Sequence, residues 1–270
     1  MPSLLLLSLG ACNLWVNPPQ ESSADFVADQ VASVNLPPQH WVARTPALSP
    51  DGSRLAYCHQ GDIWVARVVD GIAQRLTAHP AFDGRPLWSP DGTHLAFLSF
   101  RHGNWDVFVI PSQGGQVQRL TWHQDSESLH GWLNGRTILI GTTRDRWYSR
   151  YGRDKGVWSV SLDGGDPQLI GDFPAQRVSA SPNGKFLVYE SGSGDVRRRA
   201  YRGTAASNLW VYDFQSMAHR RLTQRDGNDM HPMVGESSET VYFLSDRRWK
   251  NNPEGREMAL WKVDIQLNIF

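Results

Sequence analysis

One short string limits what this chain can fold into. Ser49-Pro50-Asp51-Gly52 returns forty residues later as Ser89-Pro90-Asp91-Gly92, again as Ser181-Pro182-Asn183-Gly184, and in weaker form as Leu133-Asn134-Gly135. Proline presets its own φ and glycine accepts a positive one, so the string is a tight turn between extended segments. An apolar triplet follows each turn: Leu55-Ala56-Tyr57, Leu95-Ala96-Phe97, Ile138-Leu139-Ile140 and Leu187-Val188-Tyr189, with Val241-Tyr242-Phe243 as a fifth. The same turn at the same place in successive units marks a repeat architecture.

Two further elements complete the unit. An aromatic sits inside a short strand pattern at Trp64, Phe108, Trp158, Trp210 and Trp261. A closing strand reads Arg75-Leu76-Thr77, Arg119-Leu120-Thr121, Gln168-Leu169-Ile170 and Arg221-Leu222-Thr223. Gly114-Gly115 and Gly164-Gly165 turn the chain between the last two strands. Each unit is therefore four antiparallel strands, a to d, in roughly 40 to 50 residues, the size of a propeller blade. The expected fold is all-β, a β-propeller with blades over residues 44–80, 81–123, 124–171, 172–224 and 225–270. The fifth blade lacks its d strand, so the chain reads as truncated or as one piece of a longer polypeptide. The repeated aromatic on strand c is expected to pack between neighbouring blades.

The chain has 27 basic and 27 acidic side chains and no net charge, which argues against a nucleic-acid partner. Cys12 and Cys58 are its two cysteines, too few for a disulfide framework or a paired-cysteine zinc site. No cofactor or metal is expected. Residues 1–12 form a leader: the run Leu4-Leu5-Leu6-Leu7-Ser8-Leu9 precedes Gly10-Ala11-Cys12. This ending resembles the lipobox of bacterial lipoproteins, although no Lys or Arg precedes the apolar run. The resemblance implies lipid attachment at Cys12 and a membrane-anchored place in the cell envelope, facing the periplasm. The alternatives are a leader cleaved without lipid, or a cytoplasmic protein if the leader is not a signal. Residues 13–43 are a tether and lead-in segment, and 44–270 are the propeller. Cys58, in an apolar strand pattern, is expected to be a buried inert thiol.

The units resemble the propeller repeats shared by TolB, the prolyl oligopeptidases and tricorn protease. Arg197-Arg198-Arg199-Ala200-Tyr201-Arg202-Gly203 with Asn208-Leu209-Trp210-Val211-Tyr212-Asp213 is similar to the fourth blade of tricorn-like peptidases. His231-Pro232-Met233 with Val241-Tyr242-Phe243-Leu244-Ser245-Asp246-Arg247 is similar to their fifth, and Gly61-Asp62-Ile63-Trp64-Val65 with Arg75-Leu76-Thr77-Ala78-His79-Pro80 to their first. The resemblance, over about residues 44 to 265, implies the non-catalytic N-terminal propeller of a serine peptidase, with about five blades visible of an expected six. Such a propeller filters or channels peptides, and its catalytic domain lies further along the polypeptide. The rivals are a stand-alone envelope interaction propeller of the TolB kind and the propeller of a prolyl-oligopeptidase-like hydrolase. A downstream catalytic domain separates the first, and a Gly-x-Ser-x-Gly elbow in it marks the second.

No catalytic residue is assigned within the chain. It holds no Gly-x-Ser-x-Gly, no His-Glu-x-x-His and no phosphate-binding glycine loop. His79 and His123 recur after strand d and read as loop histidines; Glu236 and Glu239 flank a turn and read as solvated. Charge distribution says more. The b–c loops lengthen in the last three blades. Residues 143–156 hold five bases against two acids, 191–207 four against one, and 245–258 four against three. Trp147, Tyr148, Tyr151, Tyr201 and Trp249 are interleaved. Arginines beside aromatics suit peptide carboxylates and other anions. The candidate substrate-binding rim is Arg146, Trp147, Arg150, Arg197, Arg198, Arg199, Tyr201 and Arg202. The expected partners are peptides or a downstream peptidase domain. The competing reading is that these loops pack on that domain, with the arginines in interdomain ion pairs.

Overall fold

Each Ser-Pro-Asp-Gly string closes on itself through its own side chains. The Ser49 carbonyl accepts from Gly52 N–H at 2.9 Å, and the Ser49 hydroxyl accepts from Arg54 N–H at 2.9 Å and donates to Asp51 at 2.5 Å. Ser89, Asp91 and His94 repeat the pattern. Ser181 varies it, donating to the Phe186 carbonyl while Asn183 accepts from Lys185 N–H. The glycines sit at φ 74°, 69° and 69°, the left-handed region that a type I turn with a following bulge requires.

These turns join strands a and b of successive sheets. The computed structural model describes residues 43–144, 155–192, 203, 206–224, 227–246 and 258–265. The first sheet is β1 (Arg44–Leu48), β2 (Arg54–His59), β3 (Asp62–Arg67) and β4 (Ala73–Arg75). The second is β5 (Asp83–Trp88), β6 (His94–Ser99), β7 (Asp106–Pro111) and β8 (Gln118–Arg119). The third is β9 (Ser128–Asn134), β10 (Thr137–Thr142), β11 (Gly156–Ser161) and β12 (Gln168–Gly171). The fourth is β13 (Arg177–Ala180), β14 (Phe186–Ser191), β15 (Asn208–Asp213) and β16 (His219–Arg221). The fifth is β17 (Asp229–Val234), β18 (Thr240–Ser245) and β19 (Ala259–Asp264). Every sheet pairs its strands in chain order and antiparallel, four strands in each of the first four and three described strands in the fifth. The fold is thus an all-β propeller fold with five blades described.

Two compact units divide the chain, blades 1 and 2 up to Arg119, and blades 3 to 5 from Leu120. In the first, Ile63 and Val65 of β3 meet Leu95, Phe97, Phe108 and Ile110 of the next blade in one core. In the second, Tyr212 with the partly buried Trp210 packs toward Leu139, Val157 and Phe173, while Leu209 and Val211 on the other face of β15 pack on Val241 and Phe243. Strand alternation sends successive side chains to opposite faces, and here both faces are buried.

The motif on strand d is a lock. Thr77 Oγ1 accepts from Ile63 N–H at 2.9 Å, and Thr223 Oγ1 accepts from Leu209 N–H at 3.0 Å. Arg75 spans from the Thr77 carbonyl (2.8 Å) to Asp62 (2.5 Å), and Arg221 from the Thr223 carbonyl (2.8 Å) to Asn208 (2.8 Å). Strand a carries the opposite device, a bulge before proline. Thr45, Arg85 and His231 have φ of 49°, 54° and 55°, and the pairing register shifts at each. Bulges release a backbone donor from the ladder and take a proline without loss.

Candidate functional site

In an antiparallel a-b-c-d sheet, the starts of strands a and c and the ends of b and d lie at one end. The three long b–c loops leave from this end. Their feet in blades 3 to 5 show how the sequence holds them.

In blade 3 the chain leaves β10 through Thr143 and Arg144. Arg144 Nη2 donates to Glu127 Oε1 at 2.9 Å; the Glu127 side chain is fully buried and that of Arg144 is 17% exposed. The guanidinium also lies 5.5 Å from the Trp158 ring centre. Thr143 Oγ1 donates to Asp125 at 3.2 Å. At the other foot Lys155 Nζ donates to the Ser126 carbonyl at 3.1 Å. Residues 125–127 therefore clamp both feet. Removing one partner of such a buried pair costs about 3–5 kcal/mol.

In blade 4 the neck of the loop is pinched. Gly192 has φ 117°, and a Cβ there would fall 2.5 Å from the Ala206 carbonyl oxygen, so only glycine passes. Glu190, with its side chain 1% exposed, anchors both sides. Its Oε1 accepts from Ser207 Oγ at 2.9 Å. Its Oε2 accepts from Arg177 Nη1 at 3.1 Å and from His231 N–H at 3.1 Å. The His231 donor is the one released by the strand-a bulge of the next blade.

In blade 5 the Ser245 hydroxyl donates to the buried Asp229 at 2.6 Å. Asp246, also buried, accepts from Asn228 N–H at 3.1 Å and from its side-chain amide at 3.4 Å. Asn228 Oδ1 in turn accepts from Ser207 N–H at 3.2 Å, tying the feet of two loops together. Among the described residues no group of three or more His, Cys, Asp or Glu is placed to hold a metal ion.

The tricorn protease N-terminal beta propeller domain matches residues 40–268. The chain belongs to this tricorn N-terminal propeller family. It is 31% identical over 205 residues to tricorn protease homolog 1 of Streptomyces coelicolor, spanning 73% of this chain and 18% of that protein. The segment matched is thus less than a fifth of that relative's length. The crystal structure of the tricorn protease superposes with a TM-score of 0.66 at 16% identity, over 83% of this chain and 21% of that one. The putative TolB from Agrobacterium tumefaciens superposes with a TM-score of 0.64 at 18% identity, over 83% and 78%. At such identities the two structures speak for the fold alone.

For this tricorn-type propeller the sequence-read rim residues Arg146, Trp147, Arg150, Arg197, Arg198, Arg199, Tyr201 and Arg202 lie outside the described residues, as does Cys12. The frame beneath them is described. Arg144, counted among the surplus bases of its loop, is a framework residue held by Glu127. Sequence reading missed the buried acids Glu127, Glu190, Asp229 and Asp246. One signal was available: an acid stands at or just before the start of strand a in three blades, at Asp83, Glu127 and Asp229. The loop histidines cap turns, His79 Nδ1 accepting from Ala81 N–H at 3.0 Å and His123 Nδ1 from Asp125 N–H at 3.1 Å. The Cys58 thiol is buried, donates to the Asp83 carbonyl at 3.2 Å, and is pushed up in pKa by burial. Glu236 and Glu239 are exposed.

Proposed function

We propose that this chain is the non-catalytic, peptide-binding and gating propeller of an exported tricorn-like serine peptidase. One observation carries the reading: the basic, aromatic-bearing loops of blades 3 to 5 leave their sheets from buried, hydrogen-bonded carboxylates. Such footing lowers the entropy lost when a loop orders on a ligand. Between those feet, along the sequence, lie Arg146, Trp147, Arg150, Arg197, Arg198, Arg199, Tyr201 and Arg202. Guanidinium groups take carboxylates in paired hydrogen bonds, and aromatic rings cover the neighbouring apolar side chains. The leader through Cys12 supports a lipid-anchored position at an envelope membrane, where a second part of the polypeptide would cut what the propeller admits.

The test is a titration of the purified chain with an acidic peptide at low and at moderate salt. Replacing Arg197, Arg198 and Arg199 with Ala is expected to lower affinity by about tenfold or more at low salt and to flatten the salt dependence. Unchanged affinity in a variant that melts normally overturns the rim assignment.

A further inference from the structure

The first unit carries a surface that the rim loops do not explain. Phe82, ahead of β5, and Phe100, just after β6, are 41% and 42% exposed, although burial of a phenyl ring is favourable. The two are joined: Phe100 N–H donates to the Phe82 carbonyl at 3.0 Å. Both rings meet the half-buried Trp105 edge-on, at 5.8 and 5.3 Å between centres. The backbone is shaped to this cluster. A Cβ on Gly84 would fall 2.6 Å from Phe82 Cε1, and one on Gly61 would fall 3.6 Å from Phe82 Cδ2. The phenyl ring thus lies against two glycines.

The charges around it are sorted by depth. Among the described residues at this end of blades 1 and 2 (43–45, 59–62, 77–85 and 99–106) the carboxylates are Asp62, Asp83 and Asp106, all buried. Each meets an arginine: Arg75 at 2.5 Å, Arg101 at 2.6 Å and Arg119 at 2.7 Å. Arg44, Arg85, His79 and His102 are exposed at the same end. An approaching partner therefore meets aromatic edges and the guanidinium groups of Arg44 and Arg85, with the acids withdrawn beneath them. Contiguous exposed apolar side chains of this kind mark contact surfaces.

The geometry points to a docking site here for a polypeptide segment that carries carboxylates beside an aromatic side chain. The ring joins the Phe82, Phe100 and Trp105 cluster, and the carboxylates face the cations around it. This site lies on different blades from the rim loops and stands whether or not they bind peptide.

Amide hydrogen exchange of the full chain, with and without millimolar synthetic peptide of alternating Glu and Phe, reads the site locally. The expected result is slowed exchange in residues 79–85 and 99–106, lost in the Phe82→Ala/Phe100→Ala double variant. Peptides with Ser for Phe, or Lys for Glu, are expected to give none. Gly84→Ala keeps the ring but displaces it, and is expected to weaken binding about tenfold. If the double variant melts early, Phe100→Ser alone is read the same way. The site is overturned by absence of protection in these segments, by protection that survives the variants, or by equal protection from the Lys-Phe peptide. Any protection of residues 193–202 reports on the rim loops separately.

Discussion

Asp51 shows how one side chain sets a turn and a pH response together. It accepts from the hydroxyls of Ser49 and Ser53 and from Ser53 N–H, and these hydrogen bonds, that of Ser49 first, hold its carboxyl down at about 2. Asp91 is lowered in the same way, by Ser89 first. A depressed carboxylate stabilises the fold fully above its unfolded value of about 3.9 and loses that contribution as pH falls through the folded value. Asp51→Ala is therefore expected to melt below wild type at neutral pH, with the gap closing between about pH 4 and pH 2. A gap independent of pH contradicts the assignment. Asn183 does the same backbone work in blade 4 without a charge. The Asp51 turn was legible from sequence because the groups that hold Asp51, on Ser49 and Ser53, lie within two residues of it. Glu190 was not legible: one of its donors is the backbone N–H of His231, forty-one residues away.

At the scale of elements, the legible part is again the local part. Apolar triplets read as strands and the strand-c aromatics as packing between blades; Phe108, Trp210 and Trp261 join such cores, whereas Trp64 and Trp158 are half-buried and do not belong to them. Phe243 is fully buried in the core between blades 4 and 5. Phe243→Ala is expected to destabilise by about 3–5 kcal/mol in a denaturant titration, and a loss under about 1 kcal/mol contradicts this packing. The Arg-Leu-Thr string is recognisable as a repeat, but its reason, a guanidinium spanning from strand c to the end of strand d, needs the folded sheet. The strand-a bulges were signposted by Thr45-Pro46, Arg85-Pro86 and His231-Pro232, since proline inside a strand pattern demands irregular pairing. That signal went unread. Its consequence reaches the next loop, because the His231 bulge supplies a donor to the anchor of the blade 4 loop.

For the whole molecule, zero net charge hides an uneven distribution. The three loop segments carry plus three, plus three and plus one, so the rest of the chain carries the balancing minus seven. Part of that acid lies buried at the loop feet, in Glu127, Glu190 and Asp229. The family shows the fold and the match to tricorn proteins, while the chain spans 18% of the length of its tricorn homologue. Binding without cleavage is the central claim for this segment. The most direct measurement is to incubate the purified chain with a defined peptide mixture, separate bound from free, and weigh both by mass spectrometry. The expected result is retention of acidic peptides at unchanged mass, reduced in the Arg197, Arg198 and Arg199 to Ala variant. New cleavage products formed in proportion to the protein, or no retention of any peptide, contradict it.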